Sequence, residues 1–230
     1  MSLPTLPPPA GRAAAAPEAR AEFLLRLRAR GIRDLAVLRV LEALPRELFA
    51  PPRYADLAGR DLALPIACGQ TMSEPFLVAS MVEALDLAPQ SRVFEVGTGS
   101  GYATAVMAKL CAEVVSVERY RSLAVQAQRR LQDLGIANAS VIWGNGLEMP
   151  ARAERFDRMI VHAVLGDRPE SLLVQLTDDA VLVYGAADGV SHGGRQQVVR
   201  AARGGGTAWS VAAICPSRLR GLEPNVSQGL

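Results

Sequence analysis

From residue 92 onward, short runs of β-branched and other apolar residues recur at intervals: RVFEVG at 92–97, VVSVE at 114–118, ASVIW at 139–143, RMIVHA at 158–163 and AVLVYG at 180–185. Short β-branched runs of this length read as strands. Helical stretches at 101–111, 120–134 and 169–176 lie between them and are long enough for right-handed crossovers. This alternation predicts an α/β fold with a doubly wound, mostly parallel sheet. Two further strand-like runs, QQVVRAA and AWSVAAI, flank a glycine turn at 204–206 and predict a C-terminal antiparallel hairpin that completes the sheet.

Ahead of the sheet the pattern is helical. Residues 18–30 read as a helix stopped by Gly31, and Asp34 is placed to cap a second helix that runs through Leu44 and ends at Pro45. Residues 1–17 are rich in Pro and Ala with almost nothing large to bury, which predicts a disordered or weakly ordered tail. The expected organisation is therefore a tail (1–17), an N-terminal helical cover with its following loop (18–90), the α/β core (91–216) and a C-terminal tail (217–230). No internal repeat is present.

Composition narrows the function classes. No apolar run in the 230 residues approaches the roughly 18 to 20 that a membrane helix needs. Lys and Arg number 25 against 23 Asp and Glu, so bulk charge gives no reason to expect nucleic-acid binding. The arginines between Arg20 and Arg33 read as a solvated helix face. Cys68, Cys111 and Cys215 are widely separated, form no CxxC pair and suit no zinc site, so reduced and mostly buried thiols and no metal are expected. The first residues lack the apolar core of a secretory signal, and a cytoplasmic setting is expected. The sequence sets no oligomeric state.

The first strand leads into Gly97-Thr98-Gly99-Ser100-Gly101-Tyr102, where glycines permit a tight bend and close approach of backbone amides to a ligand. The spacing is GxGxG, unlike the GxGxxG of nicotinamide-dinucleotide sites, which disfavours a pyrophosphate. The second strand ends at Glu118, about where an acid meets ribose hydroxyls in such folds. An acid there also suits the start of the next helix.

FEVGTGSGY followed by VVSVER resembles the first motif and acidic loop of class I S-adenosylmethionine-dependent methyltransferases. Upstream, LPRELFAPPRYADLA and LPIACGQTMSEP resemble the protein-L-isoaspartate O-methyltransferase family, and the likeness covers roughly residues 35–157. It implies S-adenosyl-L-methionine as cofactor and, as substrate, the free carboxylate of isoaspartyl residues in damaged proteins or peptides. Carried onto this chain, it implies that Glu95, Gly97, Thr98, Gly99, Ser100 and Gly101 surround the methionine part and that Glu118 holds the ribose. Asn145 and Gly146 would lie at the adenine, Thr71 would join the cofactor site, Ser73 would be the active-site serine and Gln70 would lie toward the substrate. Asn145 stands where the family usually has Asp, and its oxygen can accept an adenine amino hydrogen. Gly144-Asn145-Gly146 also suits a plain turn, and Ser73 before Glu-Pro also suits a helix N-cap.

Displacement at a sulfonium needs alignment and exclusion of water, and a carboxylate acceptor is already ionised, so no strong base is required. The chain's histidines are His162 and His192 alone. His162, in VHAVLGDRP where the family carries VTAAA, falls near the implied substrate pocket and suits a base for a hydroxyl or amine acceptor, although a hydrogen-bonded histidine at a strand end is the commoner role for such a residue. The C-terminal ICPSRLRGLEPNVSQGL lacks the family's substrate-lining pattern. Three functions therefore stay open: isoaspartyl carboxyl methylation, methylation of another acceptor on the same fold, and a non-catalytic cofactor-binding module.

Overall fold

A computed structural model describes residues 17–149, 154–166, 168–187, 196–204 and 208–227. The predicted N-terminal tail lies outside these except for Pro17, and so do His192, most of the 204–206 turn and the last residues of the chain. Helices α1 (Pro17–Ala29) and α2 (Leu35–Ala43) come first, followed by a two-stranded hairpin of β1 (Leu64–Pro65) and β2 (Thr71–Met72), and then α3 (Pro75–Leu85). The core follows as β3 (Arg92–Val96), α4 (Tyr102–Ala108), β4 (Glu113–Glu118), α5 (Arg121–Asp133), β5 (Ala139–Trp143), β6 (Phe156–Leu165), α6 (Glu170–Leu173), β7 (Leu176–Ala187), β8 (Gln196–Arg203) and β9 (Trp209–Pro216).

The main sheet has seven strands in the order β5-β4-β3-β6-β7-β8-β9. β5 through β7 are parallel, while β8 and β9 run antiparallel, as the hairpin pattern predicted. Side chains alternate across it. Val93, Val114, Ile160 and Val183 face the layer of α1 to α4, where Leu38, Leu41, Leu77, Met81 and Val106 share their core. Phe94, Val96, Val115, Val117, Met159 and Leu182 face the other way.

That second layer is thin among the described residues. The helix predicted over 169–176 is only the four-residue α6, because Leu176 already pairs with Phe156 as the start of β7. Leu172 and Leu176 seal this face, and Phe94 stacks on Phe156 with ring centroids 5.2 Å apart.

The N-terminal helices end where the sequence says. Gly31, at φ 109°, follows α1, and the Ile32 amide returns to the Leu27 carbonyl at 3.2 Å, closing the last turn and burying Ile32. The Asp34 carboxylate accepts the amides of Ala36 and Val37 at 2.7 and 3.0 Å, capping α2. The arginine cluster keeps the solvated face expected of it, with Arg28, Arg30 and Arg33 exposed, and two of its members also reach neighbouring segments. Arg26 donates to the Gly59 carbonyl at 2.9 Å, and Arg30 pairs with Asp61 and stacks 3.5 Å over the Phe76 ring. Two of these cations thus fasten α1 to the loop at 59–61 and to α3.

β4 lies on one side of β3 and β6 on the other, so the strand order reverses between β3 and β6. Parallel sheets bind ligands in the crevice beyond the strand ends at such a point.

Candidate active site

The bend after β3 holds Gly97, Gly99 and Gly101 at φ 93°, 55° and 85°, a left-handed run that side chains resist. A Cβ on Gly101 would also stand 3.1 Å from the Ala127 Cβ on α5. The bend is stitched to β4 in three places. The Gly97 amide donates to the Val117 carbonyl at 2.8 Å, the Thr98 and Ser116 hydroxyls meet at 2.5 Å, and the Gly99 amide donates to Glu118 Oε2 at 2.8 Å.

Glu118 is 4% exposed, and its other oxygen accepts the Tyr120 amide at 2.9 Å. Burial raises its pKa above the ordinary carboxylate range, against the pull of these amide bonds. One oxygen engages the Gly99 amide and the other the Tyr120 amide, with a weaker pull from the Arg119 amide, and lone-pair capacity remains.

Glu95 is fully buried. Its carboxylate accepts the Thr104 hydroxyl at 2.5 Å and lies 2.9 Å from His162 Nε2. Those contacts enclose it in the protein, whereas His162 itself reaches the open space and packs against Gly97.

One cavity of about 640 Å³ opens beyond β3, β4 and β6. It brings together Gln70, Thr71 and Ser73 with Gly97, Thr98, Gly99 and Ser100, and these with Glu118, Asn145, Gly146 and His162. Glu95 and Gly101 support the wall from behind. Ser73 does not cap α3: Glu74 holds the N-cap position without a side-chain bond of its own and the Phe76 amide is taken by Asp61 Oδ1 at 2.9 Å, so the Ser73 hydroxyl is left to the cavity. Gln70 Nε2 donates to the Cys68 carbonyl at 3.2 Å and to the Tyr120 hydroxyl at 3.3 Å, tying the loop before β2 to the start of α5.

Asn145 is 6% exposed. Its Oδ1 accepts the Leu147 amide at 3.0 Å, and its Nδ2 is buried without a partner among the described residues. Gly146 is required by space, because a Cβ there would stand 2.7 Å from Val96 Cγ1.

Two contributors were not foreseen from the sequence. Residues 217–223, expected to begin the C-terminal tail, join Pro216 at the end of β9 to form a wall of the cavity with Ser217, Arg218, Leu219 and Arg220. It is held by the Val164 amide on the Arg220 carbonyl at 2.7 Å, by the Leu222 amide on the Val164 carbonyl at 2.9 Å, and by an ion pair between Arg119 and Glu223. The second is Arg46, buried behind the Ser73 loop. Its LPRE context was visible, but the backbone carbonyls it serves leave no mark in a sequence.

Comparison with known proteins decides the family. The sequence pattern of the "Protein-L-isoaspartate(D-aspartate) O-methyltransferase (PCMT)" family matches residues 18–212. The chain belongs to that family. A protein-L-isoaspartate O-methyltransferase of Xanthobacter autotrophicus is 53% identical over 165 residues, 71% of this chain and 75% of that one. One from Rhodopseudomonas palustris is 48% identical over 169 residues, 74% of this chain and 79% of its own. The fold of this isoaspartate methyltransferase family member also matches a solved structure from Plasmodium falciparum. That structure, described as a putative protein-L-isoaspartate O-methyltransferase in complex with S-adenosyl-L-homocysteine, has a TM-score of 0.74 at 22% identity, covering 90% of this chain and 99% of that one. The family match ends at residue 212, just short of the Pro216–Glu223 wall. Among the described residues no helix is long and apolar enough to cross a membrane.

Proposed function

We propose that this methyltransferase transfers the methyl group of S-adenosyl-L-methionine to the free carboxylate of L-isoaspartyl residues in damaged proteins and peptides of the cytoplasm. The observation that carries the reading is the convergence, in one cavity, of the family's serine loop with the glycine bend and Glu118.

The residues present suit the cofactor. Glu118 keeps acceptor capacity on both oxygens, as two ribose hydroxyls require. The unpartnered Nδ2 of Asn145 complements an adenine ring nitrogen, and the second lone pair of Oδ1 complements the amino group, a pairing of amide and adenine that nucleic-acid recognition also uses. Expectation from sequence gave only the oxygen this role; the Leu147 amide already occupies part of it, and the stronger unmet need is the donor's. Gly97 and Gly99 bring bare backbone to the wall where the methionine part would lie.

When bound, the cofactor supplies a methyl group on a positively charged sulfur. The chain's own work is to hold an anionic acceptor in line and keep water away. Ser73 orients the acceptor carboxylate by donating its hydroxyl hydrogen, without acting as nucleophile. Arg218 and Arg220, whose side chains make no ion pair among the described residues, favour an anionic partner from the opposite wall. No base is required, since the carboxylate is ionised at neutral pH.

A second reading has its own observation. His162 lies on the cavity wall with Nε2 bonded to the buried Glu95, an arrangement that orients an imidazole for proton transfer from a hydroxyl or amine acceptor. The two readings separate with a matched pair of peptides, one isoaspartyl and one aspartyl, incubated with methyl-labelled cofactor. The first expects label in the isoaspartyl peptide alone. Equal and negligible labelling of both removes it, and labelling of a hydroxyl or amine acceptor would favour the second.

A further inference from the structure

Arg46 sits behind the serine loop as a cation with 4% exposure. Among the described residues its guanidinium donates to four backbone carbonyls and to no carboxylate: Nη1 to Ala58 at 2.9 Å, and Nη2 to Leu62 at 3.1 Å, Met72 at 3.4 Å and Ser73 at 2.9 Å. Two of these acceptors belong to the loop at 58–62. The other two are Ser73 and the residue before it. Desolvation by burial lowers its pKa to about 10, with Tyr102 and Glu74 beside it pulling the other way.

The neighbourhood links this cation to both halves of the cavity. Tyr102 opens α4 directly after the glycine bend, packs edge-on against Phe49 with centroids 5.3 Å apart, and buries a hydroxyl that has no hydrogen-bond partner. β1 and β2 pair over only two registers, Leu64 with Met72 and Pro65 with Thr71, which is too little to hold a loop unaided. Glu74 caps no amide with its own side chain, and the start of α3 is held instead from the neighbouring loop, by the Phe76 amide on Asp61 Oδ1 at 2.9 Å, three residues beyond Ser73. The Met72 and Ser73 carbonyls thus take an anchor from outside the loop, and the planar guanidinium spreads its donors over two nitrogens in a fixed geometry, Nη1 on Ala58 and Nη2 toward Leu62, Met72 and Ser73, which a single ammonium nitrogen does not reproduce.

We infer that Arg46 is a positioning residue for methyl transfer: by gripping the carbonyls of Met72 and Ser73 against those of Ala58 and Leu62, it sets the place of the Ser73 hydroxyl relative to the cofactor bend. The inference rests on the isoaspartyl reading for its choice of acceptor. Its cost is a desolvated charge, offset by the backbone carbonyls it satisfies, which an apolar side chain of the same volume would leave unpaired.

The test uses Arg46→Lys, which keeps the charge and loses the fork, alone and combined with Ser73→Ala. Arg46→Lys is expected to lower kcat for an isoaspartyl peptide about thirtyfold while changing the affinity for S-adenosyl-L-homocysteine less than about threefold. In the Ser73→Ala background the same change should cost less than about threefold, because the group being positioned is gone. Hydrogen exchange provides a readout independent of the acceptor: amides at 63–74 should exchange about tenfold faster or more in Arg46→Lys, with β3 and β4 unchanged. Additive losses in the double variant overturn the inference, as does exchange that rises evenly through the protein or not at all at 63–74. If the unaltered protein labels no isoaspartyl peptide, the functional reading falls and the exchange result alone decides the role of Arg46.

Discussion

Glu118 Oε2 accepts the Gly99 amide at 2.8 Å, so the carboxylate that ends β4 also fixes the bend that ends β3. Two consecutive parallel strands are thereby locked at the point where a ligand must enter.

The buried state of Glu118 makes cofactor affinity depend on pH. Its pKa is raised by burial, so the folded protein holds this proton more tightly than the unfolded chain, and ionisation costs stability as pH climbs from the ordinary carboxylate range through the raised value. Ligand binding has the opposite sign, because only the carboxylate accepts two hydroxyls. Affinity for S-adenosyl-L-homocysteine, measured by equilibrium dialysis, should fall as pH drops through the raised value, while Glu118→Gln should bind more weakly and with a flatter profile.

Gly101→Ala should destabilise the fold by about 1–3 kcal/mol, since it adds left-handed strain to a Cβ that meets Ala127. Urea unfolding would show the midpoint shift. Gly31→Ala has the same backbone sign but open space around its Cβ, and should cost less.

His162→Ala removes one of the hydrogen-bond partners of a fully buried carboxylate, and should cost about 1–3 kcal/mol of stability. Turnover of an isoaspartyl peptide should fall less than about tenfold, as the acceptor needs no base. Unfolding curves and initial rates on the same samples separate the two effects.

Charge reversal at Arg218 or Arg220 should raise KM for an isoaspartyl peptide by about threefold or more and leave cofactor affinity unchanged. Added salt should shrink the difference, as expected for exposed charges. Steady-state kinetics at two ionic strengths checks it.

Much of this architecture was legible because its signals are local. Val114 to Glu118 and Ala139 to Trp143 are β-branched runs with little alternative but a buried strand, and the Asp34 cap and Gly31 stop act within one helical turn. The glycine bend and Glu118 were readable as a register of strand, bend and acid. What escaped depends on distant partners. α6 is short because Leu176 pairs with Phe156, a contact no local pattern encodes. α3 is buried along most of its length and so shows little amphipathic period. Arg218 and Arg220 reach the cavity only because Val164 holds the Arg220 and Leu222 backbone, and Arg46 serves carbonyls that every residue possesses.

The most direct test is calorimetric titration of folded protein with S-adenosyl-L-homocysteine, beside Glu118→Ala of equal foldedness. The account predicts saturable binding at one site per chain in the unaltered protein and a loss of about a hundredfold in affinity in the variant, in line with two charge-assisted hydrogen bonds. No measurable binding by the unaltered, folded protein would contradict it.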